Sequence, residues 1–467
     1  MKKLIYIAGA ALLAGLCYGI YFIDTALPIG TGYAAKYLCS QVYLAGRDPL
    51  NLFERDVRPT NILFSLVKPV YDHDAQSVTA RALGFRKPFT AVYREGYGCT
   101  LAVGVSPEEL AREAAPLPPR KRHDPNGLWP RGERVDTASP RPGIDEKAMA
   151  GAVEEAFREP GPDTKRNTQA VVVVHRGGVV AEGYAEGFSP SRPMLGWSMT
   201  KTVTAALIGI LTGMKKLDIM KPAPVSLWNR PDDPRSRITI DQLLRMSSGL
   251  DFVEVYGPHK DATEMLYASR SMADFAAAKP MRTAPDGEWY YSSGTANIIA
   301  RIVHDAAGGT LRDAEAFARN ALFDRIGMYS ALIEPDASGS FVGSSYMFAT
   351  PRDWARFGLL LLGDGVWNGE RILPKGWVRY MTTPTPLAPM GEYGAHTWLN
   401  AGAREDRGNR KYPSLPTDLY YLGGFNGQVV AVIPSRDLVI VRMGVTHDKS
   451  WYQEKFIRQV LDAVEKR

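Results

Sequence analysis

A hydroxyl and an ammonium stand three residues apart at Ser198 and Lys201. On a helix, positions i and i+3 share a face, so the two side chains can touch. Burial lowers a lysine's pKa and lets it take the serine's proton. A serine at the mouth of a helix also has unpaired backbone N–H groups beside it, which suit a developing oxyanion. Such a nucleophile needs a third group to pass the proton to the leaving group. Tyr291, in Trp289-Tyr290-Tyr291-Ser292-Ser293-Gly294, is the candidate. A nearby ammonium is expected to lower its pKa from about 10. Tyr290 competes for the register, and Tyr267-Ala268-Ser269 is a decoy. A second Ser-x-x-Lys, Ser65 to Lys68, runs into Pro69, which ends a helix, and reads as a surface segment.

The elements that must hold these groups can be read from pattern. The residues after Lys201, from Thr202 to Leu211, are apolar nearly all round, which places that helix in the interior. Residues 145–157 repeat apolar side chains at helical spacing through Met149, Val153 and Phe157. Two β-branched runs flank Arg176-Gly177-Gly178, and two more flank Pro434-Ser435-Arg436-Asp437; each pair reads as a hairpin. Thr239 and Gln242 have capping-box spacing for a short helix ending near Met246. Residues 295–303 read as a helix capped by Ser292 or Ser293, residues 352–362 as another, and residues 450–465 as a closing one. Strands at both ends with helices between imply an α+β domain: one antiparallel sheet assembled from distant parts of the chain, plus a helical insertion.

The chain has 467 residues, enough for two or three units. Residues 4–23 carry no charge and, at about 1.5 Å per residue, span the roughly 30 Å of a bilayer core. Lys2 and Lys3 before this run and Asp24 after it orient a transmembrane helix with the rest of the chain outside. The expected division is a membrane anchor or signal over 1–23, an N-terminal segment over 24–105, a proline-rich linker or arm over 106–144, and the main domain over 145–467. Placed outside, in the periplasm of a Gram-negative source, Cys39 and Cys99 can form a disulfide; the alternative is two buried free thiols. The net charge of +6 is scattered, and no basic face alternates with aromatics, so nucleic acid is not an expected partner. No Cys/His cluster has metal-ligand spacing. His175, His304 and His396 read as structural, whereas His447 could face a cleft. No Gly-x-Ser-x-Gly elbow exists, which argues against an α/β-hydrolase triad.

Four motifs together resemble the penicillin-recognising serine hydrolases: class C β-lactamases, DD-peptidases, related esterases and 6-aminohexanoate-dimer hydrolases. They are Ser198-Met199-Thr200-Lys201, Met246-Ser247-Ser248-Gly249-Leu250, Tyr291-Ser292-Ser293, and Gly423 to Gln428 leading into the last hairpin. The resemblance covers about residues 145–467. It implies a β-lactamase/penicillin-binding-protein-like fold that uses no cofactor. Ser198 would be the nucleophile, Lys201 its proton acceptor and Tyr291 the general acid/base. Ser293 would replace an amide side chain. The oxyanion hole would use the N–H groups of Ser198 and Phe425, with Gly424 beside it. Where penicillin-binding members have Lys-Thr-Gly, this chain has Leu422-Gly423-Gly424. Leucine cannot hold a carboxylate, which favours a small amide or ester as substrate. The alternatives are a cell-wall DD-peptidase or β-lactamase, or a catalytically silent binding module.

Overall fold

The computed structural model describes residues 2–84, 86–113, 116–162 and 164–464. Met1 at the start of the expected anchor and Glu465 at the end of the expected closing helix lie outside them. Helix α1 is one continuous rod, Lys2–Cys39. It runs past residue 23, where the sequence reading ends the anchor. Its first part exposes Tyr6, Leu12, Leu13, Leu16 and Tyr18, whereas Leu27, Tyr33, Ala34 and Leu38 are buried in the protein. An antiparallel meander of β1 (Val67–Asp72), β2 (Ser77–Ala82), β3 (Arg86–Arg94) and β4 (Gly98–Leu101) packs against that buried part.

Two covalent and ionic ties fix α1 to the rest. Cys39 and Cys99 form a disulfide between the end of α1 and β4. Beside it, Lys36 Nζ lies 2.5 Å from Glu334 Oε2, with both side chains buried. The Ser40 hydroxyl and the Cys99 N–H donate to the same carboxylate, at 2.9 and 2.6 Å from Oε1. A buried ion pair keeps its geometry only when its remaining lone pairs are satisfied, and here they are. Residues 116–136 lie along the main domain: Arg120 pairs with Glu315, and Arg356 takes the carbonyls of Pro130 and Gly132.

The main domain follows the predicted plan. Helix α2 (Glu146–Phe157) has Asp145 as its cap. Strands β5 (Thr168–His175) and β6 (Gly178–Tyr184) make the first hairpin. Helix α3 is Thr200–Gly213, and every residue from Thr200 to Leu211 is buried. Helix α4 (Ser293–Ala307) is capped by Ser292, and α5 is Pro351–Leu362. Strands β7 (Trp398–Leu399), β8 (Tyr420–Gly424), β9 (Gln428–Ile433) and β10 (Leu438–Gly444) precede the closing α6 (Gln453–Asp462). The antiparallel sheet has the order β7-β8-β9-β10-β5-β6, so the last hairpin joins the first through β10 and β5. Helices α2 and α6 cover one face and α5 the other. This explains why Val171, Val172, Val173 and Val174 form an unbroken apolar run: both faces of the strand are buried.

The disulfide closes a 60-residue separation, worth about 4 kcal/mol in the chain-entropy picture. Alkylation of the denatured chain without reductant should modify Cys17 and spare Cys39 and Cys99; reductant should expose all three. Cys39→Ser should lower the unfolding free energy by about that amount.

Candidate active site

Ser198 sits in a 3₁₀ turn, Trp197–Met199, that feeds directly into α3. Trp197 holds φ at +48°, a left-handed conformation that costs a bulky residue energy and needs outside support. The support is visible. The Trp197 indole stacks on Tyr33 and Tyr37 of α1, each with ring centroids 6.4 Å away, and meets Phe425 edge-on at 5.7 Å. The Thr200 hydroxyl donates to the Trp197 carbonyl at 2.6 Å and accepts the Met347 N–H at 3.1 Å. Gly196 lies against the Trp354 ring, and Gly424 lies against the Gly196 carbonyl, where any Cβ would collide. These two glycines let the end of β8 approach the serine turn and bring Phe425 beside it.

Lys201 is almost wholly buried. Its Nζ donates to the Ser198 hydroxyl at 3.1 Å, to the Ser293 hydroxyl at 3.1 Å and to the Ser344 carbonyl at 3.0 Å. Burial lowers its pKa to about 8, against the opposing pull of the Glu254 carboxylate. Tyr291 comes to the same point from the segment before α4; the Lys201 ammonium lies 4.8 Å from its ring centroid. Trp398 stacks on the same ring, with centroids 5.2 Å apart. Burial pushes the Tyr291 phenol up from its ordinary value and Glu254 adds to this, while the Ser198 hydroxyl offsets part. The expected lowering by an adjacent ammonium is therefore corrected, because desolvation of the phenolate dominates. Tyr290 points elsewhere: its hydroxyl accepts the Glu254 N–H at 3.1 Å and its ring meets Arg282. Tyr267 is buried against Tyr33.

The second motif acts as a brace. The Met246 carbonyl accepts the Tyr290 N–H at 2.9 Å, and its sulfur accepts the Ser292 N–H at 3.3 Å. The Ser247 hydroxyl donates to Asp286 at 2.6 Å. The loop carrying Tyr291 is thus clamped on both sides of the aromatic run.

Sequence reasoning missed Glu254. Its carboxylate accepts the Ser293 hydroxyl and the Ser293 N–H, each at 2.6 Å, and so completes a chain from Lys201 through Ser293. The signal was present as a lone carboxylate in the apolar run Phe252-Val253-Glu254-Val255-Tyr256. His396 is buried behind Lys201, with Nδ1 3.1 Å from the Lys201 carbonyl. Burial, and then the Lys201 charge, lower its pKa to about 3, so it stays neutral. His447 interacts with Asp56, Asp448 and the Arg55 backbone and does not line the cavity at Ser198. Leu422 is fully buried.

Ser198 opens onto a cavity of about 300 Å³ walled by α1, by residues 60–67 and by the 256–267 segment. A larger cleft of about 1160 Å³, between residues 116–125 and the main domain, holds none of the groups above. A hydroxyl held by a near-neutral amine, with a phenol beside both, can attack a carbonyl and relay its proton. Among the described residues, no group of three His, Cys, Asp or Glu could hold a metal ion.

The chain is 24% identical over 297 residues to the 6-aminohexanoate-dimer hydrolase of Paenarthrobacter ureafaciens, covering 59% of this chain and 72% of that one. EstCE1, a hydrolase with promiscuous acyltransferase activity, superposes with a TM-score of 0.51 at 15% identity, over 68% of this chain and 97% of that one. A D-stereospecific amidohydrolase from a Streptomyces species gives 0.50 at 17% identity, over 68% and 98%. At such identities the structures share the fold. The family model described as Beta-lactamase matches residues 151–460, which carry the serine turn, the brace, the tyrosine segment and the last hairpin, and on that match this chain belongs to the beta-lactamase family.

Proposed function

We propose that this chain is a serine hydrolase that cleaves an amide or ester through an acyl-enzyme on Ser198. The observation that carries it is the buried Lys201 amine, bonded to the Ser198 hydroxyl and with its pKa lowered to about 8. In this reading neutral Lys201 takes the Ser198 proton as Oγ attacks the carbonyl. The N–H groups of Ser198 and Phe425 receive the developing oxyanion. Tyr291, whose phenol burial keeps protonated, relays a proton to the leaving group. Ser293 and Glu254 position the lysine. Water then attacks the acyl-enzyme by the reverse relay and frees the acid. The relative named above is a 6-aminohexanoate-dimer hydrolase, which supports the amide branch. Leu422, buried where penicillin-binding members have lysine, supports the amide or ester branch over a DD-peptidase or β-lactamase.

The exposed apolar residues of α1 support reading it as a membrane anchor. The Cys39–Cys99 disulfide supports placing the main domain outside the cytoplasm.

A small alkyl fluorophosphonate should label the wild-type chain, and Ser198→Ala should abolish that labelling; labelling that survives the substitution would end the nucleophile assignment. Lys201→Ala should slow acylation by about a hundredfold to ten-thousandfold. The base must be neutral, so the acylation rate should climb as pH rises through about 8. Glu254→Gln removes the charge that holds the Lys201 pKa up, so the rising limb should move to lower pH. A limb that stays in place, or moves up, would remove Glu254 from the relay.

A further inference from the structure

The cavity at Ser198 is not built from the beta-lactamase domain alone. Leu27, Ile29 and Tyr33 of α1, with Leu63, Phe64 and Val67 of the following segment, supply much of its wall. All lie outside the family match at 151–460. Among the described residues, no carboxylate, ammonium, guanidinium or imidazole lines the cavity. A zwitterionic linear amide, such as the dimer named for the relative, finds no charged partner on these walls. An alkyl chain does find its match.

The position of the cavity narrows the class further. The exposed apolar part of α1 ends near Ile23, and wall residue Leu27 follows one turn later on the same rod. At about 1.5 Å per residue, the walls from Ala26 to Tyr33 lie about 5 to 15 Å beyond the end of the apolar span. Asp24 and Lys87 pair at this level, as charges do at a membrane surface. His259 also sits there, accepting or donating to the Thr25 hydroxyl at 2.7 Å and stacking on Tyr21 at 5.7 Å. It directly follows Pro258 of the cavity wall, so the rim is tied to the rod where the rod leaves the protein. Around this end the protein exposes large apolar side chains: Ile62 at 86%, Val255 at 48%, Tyr256 at 51% and Phe425 at 44%.

We infer that the substrate is an amphiphile with an apolar acyl chain, drawn from the bilayer leaflet into the cavity walled by α1, with its ester or amide carbonyl at Ser198. This rests on the serine hydrolase reading above. The acyl carbon bonds to Ser198 Oγ as its bond to the head-group oxygen or nitrogen breaks. The head group leaves with the serine's proton. Water then splits the acyl-enzyme to a fatty acid and free Ser198.

The test uses the full chain in vesicles of phosphatidylcholine and phosphatidylglycerol, with nitrophenyl esters from acetate to decanoate. Apolar burial contributes up to about fourfold per methylene, and even about 1.8-fold for each added methylene makes kcat/KM rise about a hundredfold along the series. Gly30 offers a way to fill the cavity: a Cβ there meets only Phe64 and Val67, at 3.7 and 3.8 Å. Gly30→Leu should lower the decanoate-to-acetate ratio tenfold or more, and Gly30→Ala much less. Fluorophosphonate labelling of Ser198 in each variant reports that the site is folded. Release of fatty acid from the vesicle lipid supports the bilayer as source. Cleavage of the soluble decanoate with none of the vesicle lipid keeps the acyl specificity and overturns that source. Normal labelling with acetate cleaved as well as decanoate overturns the inference and leaves the hydrolase standing. No labelling of the wild-type chain would instead overturn the hydrolase reading itself.

Discussion

The site depends on keeping one amine out of water. In solvent the Lys201 ammonium would hold its proton at neutral pH and be useless as a base. Packed within α3, its three donor directions are all spent, on two hydroxyls and a carbonyl. Desolvation makes the charged form costly, and a single carboxylate one hydroxyl away limits how costly. The balance leaves a group poised near neutrality, which is what proton transfer to and from a serine requires. The same desolvation acts on Tyr291 in the opposite sense, because its charged form is the deprotonated one. One dry environment therefore moves the two groups in opposite directions, as the proposed acceptor and donor require.

That dryness is built by segments from the whole chain. The apolar helix α3 supplies the floor, and β8 closes in through Gly424. Helix α1 closes the remaining side by laying Tyr33 and Tyr37 on the Trp197 indole. The strained backbone at Trp197 is held by this stack, and the stack is held by the Lys36–Glu334 pair and the disulfide further along the same helix. The N-terminal region is thus part of the scaffold of the serine turn.

Much of this was legible in the sequence. Hairpins, caps and the all-apolar helix follow local rules, so the two hairpins and the frame of α2 to α6 could be drawn from periodicity and turn residues, whereas the short strands β7 and β8 carry no such signal. Ser198 and Lys201 could be paired because spacing along a helix fixes which side chains meet, whereas Tyr291 was named from its place before a helix start and from the Tyr291-Ser292-Ser293 motif, with Tyr290 competing. Glu254 stood out only as a carboxylate in an apolar run; its partner could not be read, because the contact arises from a loop folding back on Ser293 and no period marks it. The direction of the Tyr291 shift failed for a related reason: a neighbouring charge can be guessed from sequence, but the depth of burial cannot. The continuation of α1 into the core was hidden for another reason. Its residues beyond Asp24 look like any mixed segment until the surfaces that bury Leu27 and Tyr33 are known.

The walls that α1 and residues 60–67 give the cavity have an evolutionary corollary. In the reading proposed above, chemistry and selectivity are encoded in separate stretches of polypeptide, the reactive groups within the family match at 151–460 and the cavity walls of α1 and residues 60–67 outside it. Two homologues with identical reactive groups could therefore accept unrelated molecules if their leaders differ, and ranking them by resemblance of the common part would misjudge what each consumes.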